Sequence, residues 1–124
     1  MIDRTVRDLR GRAEEVSALL KVLSHPNRLL IACDLIEGER SVGEIENRTG
    51  VRQPALSREL ARLRDEGLVG TRRASKQIFY SLTDPRVSRL IDALCRTFEG
   101  EGASVAGRVT RAGAGRSEER STIR

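Results

Sequence analysis

The 124-residue chain has no tryptophan, and its aromatic residues are Phe79, Tyr80 and Phe98 alone. With so few rings, its core must come from Leu, Ile, Val and Ala, which suits helices packed on helices. It has one histidine, His25, and two cysteines, Cys33 and Cys95. A tetrahedral zinc site wants four thiolate, imidazole or carboxylate ligands at close spacing. No such cluster is spelled out, so neither a metal nor a cofactor is expected. No apolar run approaches the roughly 18 residues that a membrane span needs. The opening MIDRTVRDLRGR is charged where a secretion signal would need an apolar centre. We expect a cytoplasmic protein with no membrane partner. Paired carboxylates, a nucleophile beside a base and a phosphate-cradling loop are all missing at working spacing, so an enzyme is not expected.

What is present is charge, unevenly spread. Arginine outnumbers lysine 21 to 2, and the net charge is +5. Residues 31–50 carry two basic and five acidic side chains, whereas residues 51–80 carry seven basic and three acidic. A basic segment directly after an acidic one suits a phosphate-facing surface, because neutralising phosphates releases counterions.

Apolar residues at three- and four-residue steps, Val6, Leu9, Ala13, Val16, Leu19, Leu20 and Leu23, predict an amphipathic helix over 4–23. Pro26 suits a first helical position, so a second helix is predicted from there to a glycine cap at Gly38, with His25 as a capping or packing residue. Ser41 with Glu44 spells a capping box for a third helix, 42–49, ending at Gly50. A turn of about three residues leads to a fourth, opening at Arg52 or Gln53 and burying Leu56, Leu60 and Leu63. LVGTRR and QIFYSL around ASK read as a hairpin with a basic tip. Asp84-Pro85 opens a last helix with Val87, Leu90, Ile91, Leu94, Cys95 and Phe98 on its apolar stripe. Residues 1–100 are thus expected to form one domain, and 101–124, small, polar and aperiodic, a disordered tail.

Two helices, a helix-turn-helix, a hairpin and a helix follow a winged-helix order. Over about residues 10–100 the chain resembles the arsenic-repressor (ArsR) family of bacterial transcription regulators. The resemblance rests on LSHPNRL at 23–29, SVGEIENRTGVRQPALSRELARLRDEGLV at 41–69 and KQIFYSL at 76–82. The fold class expected is mainly α with a small β-hairpin wing, in the order α-α-α-α-β-β-α, and dimeric. The phrases are most similar to the biofilm growth-associated and sulfide-responsive repressors. That likeness implies a homodimer on double-stranded operator DNA, an inverted repeat, released when a cysteine pair is oxidised or persulfidated by a reactive sulfur species or oxidant.

A recognition helix enters the major groove with its N-terminal half against base edges. Gln53 has the paired groups for adenine and Arg58 those for guanine, while Ser57 suits a base or a phosphate. Arg52 and Arg62 are placed for phosphate, which positions without specifying. Arg72, Arg73 and Lys76 of the wing would reach the adjacent minor groove or its phosphates. Glu59 is unusual within such a helix. It would repel phosphate unless it accepts from a cytosine amino group or pairs with an arginine.

Cys33 shares a helix face with Leu29 and Ile36, and Cys95 one with Ile91 and Phe98, so both are expected to be at least half-buried. Two readings stand open. Buried cysteines commonly act as small hydrophobes, whereas the resemblance places Cys33 at the family's first reactive cysteine. The relatives' second reactive cysteine falls at Glu99 here, about 6 Å along the helix beyond Cys95. A direct disulfide tolerates Cα separations of only about 4.4–6.8 Å, so the offset sets against a direct bond, and a polysulfide bridge is more forgiving. In the sensing reading, linking Cys33 to Cys95 ties the second helix to the dimer helix and alters the spacing of two recognition helices. Its rivals are a repressor with inert cysteines answering a small organic effector or none, and a winged helix used only for protein contacts.

Overall fold

The computed structural model describes residues 2–99. The expected tail at 101–124 lies outside the described residues. The backbone divides into two compact units, Met1–Ile91 and Asp92–Arg124.

The seven regularly spaced apolar residues do not make one helix at the N-terminus. Two helices form instead, α1 (Ile2–Arg10) and α2 (Ala13–Leu23). The break falls at Gly11 and Arg12, where Arg12 adopts φ −122° and its N–H turns back to the Leu9 carbonyl at 2.9 Å. Glycine is a poor helix-interior residue, and one suffices to end the run while the apolar spacing carries on across it. Helix α3 (Pro26–Asp34) begins as expected, with His25 as its N-cap: His25 Nδ1 accepts from Asn27 N–H at 3.2 Å. Its last turn tightens into a 3₁₀ segment, Leu35–Glu37, before Gly38.

The capping box is complete. Glu44 N–H donates to Ser41 Oγ at 3.2 Å and Ser41 N–H to Glu44 Oε1 at 2.8 Å, starting α4 (Val42–Thr49). Gly50 closes α4 in the left-handed region, φ 78°, a conformation that side chains with a Cβ resist. Helix α5 runs Ala55–Asp65, so it starts two to three residues later than expected. The proline explains this: a residue before proline is disfavoured in helical conformation, which bars Gln53 from the helix and leaves Pro54 as N-cap.

Strands β2 (Val69–Ala74) and β3 (Gln77–Leu82) form the antiparallel hairpin, turning at Ser75 and Lys76 with Ser75 at φ 60°. A third strand, β1 (Arg40–Ser41), is added to β3 through the pairs Arg40–Tyr80 and Ser41–Phe79, giving the order β1-β3-β2. Two residues are too short to leave a periodicity in the sequence. Helix α6 spans Pro85–Phe98, and Asp84 Oδ1 accepts from Arg86 N–H at 2.8 Å at its start.

The core of the first unit is aliphatic. Ile31, Ile45, Leu56, Leu63 and Ile91 are wholly buried, and Leu60 is 2% exposed. The stripe Leu56, Leu60, Leu63 therefore faces inward as the spacing requires, and fixes which side of α5 is left for solvent. Replacing Leu60 by alanine is expected to cost about 2–5 kcal/mol through lost burial and the cavity left behind, read as a fall in the urea midpoint. In the second unit the described part is the end of α6, where Arg96 Nε donates to Asp92 Oδ2 at 2.9 Å.

Candidate nucleic-acid interface

With the leucine stripe buried, the opposite face of α5 carries Ser57 and Arg58 in its first half and Arg62 farther on, all exposed. Arg52 and Gln53, also exposed, lie just before it. The sequence points Gln53 and Ser57 to bases separately, and the structure joins them. Ser57 N–H donates to Gln53 Oε1 at 3.1 Å, and Ser57 Oγ–H to the same oxygen at 2.7 Å. Gln53 thereby supplies the cap that Pro54 lacks a side-chain group to give. Its acceptor oxygen is engaged twice, so pairing with adenine requires Ser57 to let go.

The basic residues fall into two groups. Arg62 Nε lies 3.3 Å from Glu66 Oε2, one turn on. Arg72 is held by Glu39, with Nε at 3.0 Å and Nη2 at 2.7 Å from its two carboxylate oxygens. The Arg72 guanidinium also stands 5.0 Å over the Phe79 ring, its cross-strand partner. The fork geometry holds the Glu39 carboxyl below its usual range and pushes Arg72 up. Arg52, Arg58, Arg73 and Lys76, by contrast, have no ion-pair partner among the described residues. Glu39 gave no local signal in the sequence, since it meets Arg72 across 33 positions. If Arg72 reaches phosphate only when Glu39 is gone, Glu39→Gln steepens the salt dependence of DNA binding by about one unit of log–log slope per chain. Fluorescence anisotropy across a salt series measures that slope, and an unchanged slope would show that Arg72 either leaves Glu39 on DNA already in the wild type or makes no phosphate contact.

Glu59 departs most from a base reader. It is 5% exposed and accepts from Arg28 Nη1 at 2.7 Å, with His25 Nε2 at 3.5 Å from its other oxygen. Of the two expectations for this acid, pairing with an arginine is the one found.

This geometry has counterparts. Residues 25–71 match the family described as bacterial regulatory protein, arsR family. The chain is 52% identical over 94 residues to the biofilm growth-associated repressor of Xylella fastidiosa (strain Temecula1 / ATCC 700964), covering 76% of this chain and 82% of that one. It belongs to the arsR family. The HTH-type transcriptional regulator YgaV of Escherichia coli (strain K12) is 43% identical over 88 residues, covering 69% of this chain and 88% of that one. The crystal structure of the transcriptional repressor BigR from Xylella fastidiosa has a TM-score of 0.72 at 50% identity, covering 77% of this chain and 97% of that chain. This arsR-family chain is accordingly a winged-helix transcriptional repressor of that type and not an enzyme.

Both cysteines of this family member are half-buried, as their helix faces required. Each is disulfide-bonded, and neither is a free thiol. Cys33 lies on α3, five residues after Arg28 and beside Asp34, whose carboxylate is paired with Arg48 of α4. Cys95 lies on α6. Among the described residues no group of three or more His, Cys, Asp or Glu could hold a metal ion, and no helix is long and apolar enough to cross a membrane.

Proposed function

We propose that this chain is a homodimeric repressor whose grip on operator DNA is switched by oxidation or persulfidation of Cys33 and Cys95, which pair with each other. The observation that carries the switch is that both cysteines are disulfide-bonded. The one-turn displacement of Cys95 from the relatives' position has thus not cost it a sulfur partner. The reaction balances simply: two thiols lose two electrons and two protons to a peroxide, or to a sulfane sulfur that leaves as hydrosulfide, and a bond forms between the sulfurs. Disulfides in a reducing compartment are usually transient and sensory, which agrees with a cytoplasmic location.

The DNA-binding part rests on the exposed face of α5 beside a basic wing. Gln53, Ser57 and Arg58 are the base readers. Arg52, Arg62, Arg72, Arg73 and Lys76 hold phosphate on either side. Dimerisation is supported by apolar side chains left in solvent on the N-terminal helices and α6. Val6 and Leu9 of α1, Leu20 of α2 and Phe98 of α6 are each 44% exposed or more. Two copies joined there place two recognition helices about 34–36 Å apart, one DNA turn, and so read an inverted repeat. Oxidation links α3 to α6, shifts that separation and releases the DNA.

The test is a gel shift on the promoter next to the protein's own gene, comparing reduced protein with protein treated with polysulfide or peroxide. Equal binding in both states would overturn the switch. A second reading has one observation in its favour. A groove of about 510 Å³ is lined by Val16, Leu19 and Val22 of α2 with Leu68, Val87 and Leu90, a volume within the range of small-ligand sites. Arg12, Glu15, Glu66, Asp84 and Arg86 also line it, and in that reading a small organic effector replaces the cysteine chemistry.

A further inference from the structure

A carboxylate buried inside a recognition helix calls for a reason, because burying a charge is costly unless it is both paired and hydrogen-bonded. Glu59 satisfies both conditions through groups that belong to other helices. Arg28 of α3 donates from Nη1 to Glu59 Oε1 at 2.7 Å, and from Nε to the Val22 carbonyl near the end of α2 at 2.6 Å. His25, the N-cap of α3, turns Nε2 toward Glu59 Oε2 at 3.5 Å while its Nδ1 accepts from Asn27 N–H. With Nδ1 accepting, a neutral His25 carries its proton on Nε2, the nitrogen that faces the carboxylate. The ends of α2 and α3 therefore converge on one side chain of α5, which sits one residue after Arg58 and two after Ser57.

The leucine stripe cannot by itself fix α5 in this way. Apolar contacts are non-directional: they decide which face of α5 is buried more firmly than they decide its exact rotation. A guanidinium that donates at once to a carboxylate and to a backbone carbonyl is directional. We infer that Glu59 is a positioning residue: it makes no contact with DNA, and through Arg28 and His25 it sets the height and rotation of α5 so that Gln53, Ser57 and Arg58 meet base edges in register. This deepens the function proposed above and rests on it. Base contacts depend steeply on placement, whereas flexible arginines on phosphate tolerate small shifts. Loss of Glu59 should therefore weaken specific binding and spare non-specific binding.

The experiment uses the full chain, reduced, with two probes: the duplex that the wild type enriches from a randomised pool, and a scrambled duplex of equal length. Glu59→Gln, Arg28→Gln and the double variant are titrated against both, and the folded, binding-competent fraction is counted by stoichiometric titration. Each single change is expected to weaken binding to the enriched duplex by about 10-fold or more, within the range of one misplaced bidentate contact. Binding to the scrambled duplex is expected to stay within about two-fold, since the phosphate contacts are retained. The double variant should be no weaker than the weaker single one, because both changes break the same tie. If Glu59→Gln fails to fold, Arg28→Lys, which keeps the charge and removes the fork, gives the same pattern in smaller measure. A role confined to stability would lower the competent fraction and leave both affinities of the folded protein unchanged, and would overturn the inference. So would additive losses in the double variant, or a Glu59→Gln protein that selects a different base at one position, the mark of direct readout. A wild type that binds neither duplex sinks the proposed function itself; a wild type that binds with unaltered variants sinks this inference alone.

Discussion

Raising the salt from about 50 to about 200 mM should weaken binding of the reduced protein to its operator by about 1,000-fold or more. The number follows from counting cations. Of the five side chains assigned to phosphate, Arg62 and Arg72 are already paired, with Glu66 and Glu39, while Arg52, Arg73 and Lys76 are unpaired among the described residues. Three per chain make six in a dimer, and each neutralised phosphate contributes about −0.9 to the log–log slope, so a slope of about −5 is expected. If DNA also draws Arg62 and Arg72 away from their carboxylates, ten contacts form and the loss approaches about 100,000-fold. The slope thus reports whether the two acidic partners let go. Anisotropy of a labelled promoter fragment measures it, and a slope near zero would leave only the reading in which the winged helix serves protein contacts.

The segments legible in the sequence were those whose cause is local. Ser41 and Glu44 cap each other across three residues, so the start of α4 was visible as a motif. Pro85 after Asp84 marked the first residue of α6, and the alternation in QIFYSL marked β3. Local chemistry also misled where two signals overlapped. The apolar period runs through Gly11 without marking the break, and the pattern places Pro54 inside a helix that its own constraint on Gln53 delays to Ala55. What no local pattern could supply were the pairings across 31 and 33 positions, Arg28 with Glu59 and Arg72 with Glu39. Both change the site. One removes an acid from the DNA face and the other occupies a wing arginine. Arg28 did lie within the LSHPNRL phrase, so the signal was present, but nothing in that phrase names its partner on α5. The two-residue strand β1 was invisible for the same reason, since it exists only because β3 is there to pair with it.

Serine at Cys33 should abolish the response to polysulfide while leaving the reduced protein's affinity within about two-fold of wild type. An allosteric coupling of about 1–3 kcal/mol corresponds to about 5–150-fold in affinity, and this is the expected ratio between reduced and oxidised wild type on the same promoter. Cys33 is half-buried on α3, whereas the base readers belong to α5 and the turn before it, so exchanging sulfur for oxygen removes the redox chemistry and little else. Cys95→Ser should behave alike, because a bond needs both sulfurs, and the double variant should add nothing to either single one. Mass spectrometry of the treated proteins reads the state of the sulfurs directly. Oxidised wild type loses two hydrogens or gains bridging sulfur, while each single variant can carry at most a persulfide or a mixed disulfide on its remaining thiol. If Cys33→Ser still releases the promoter on treatment, the cysteines are packing residues and the groove beside α2 becomes the place to seek the effector. If it holds the promoter under every oxidant, the two sulfurs are the switch.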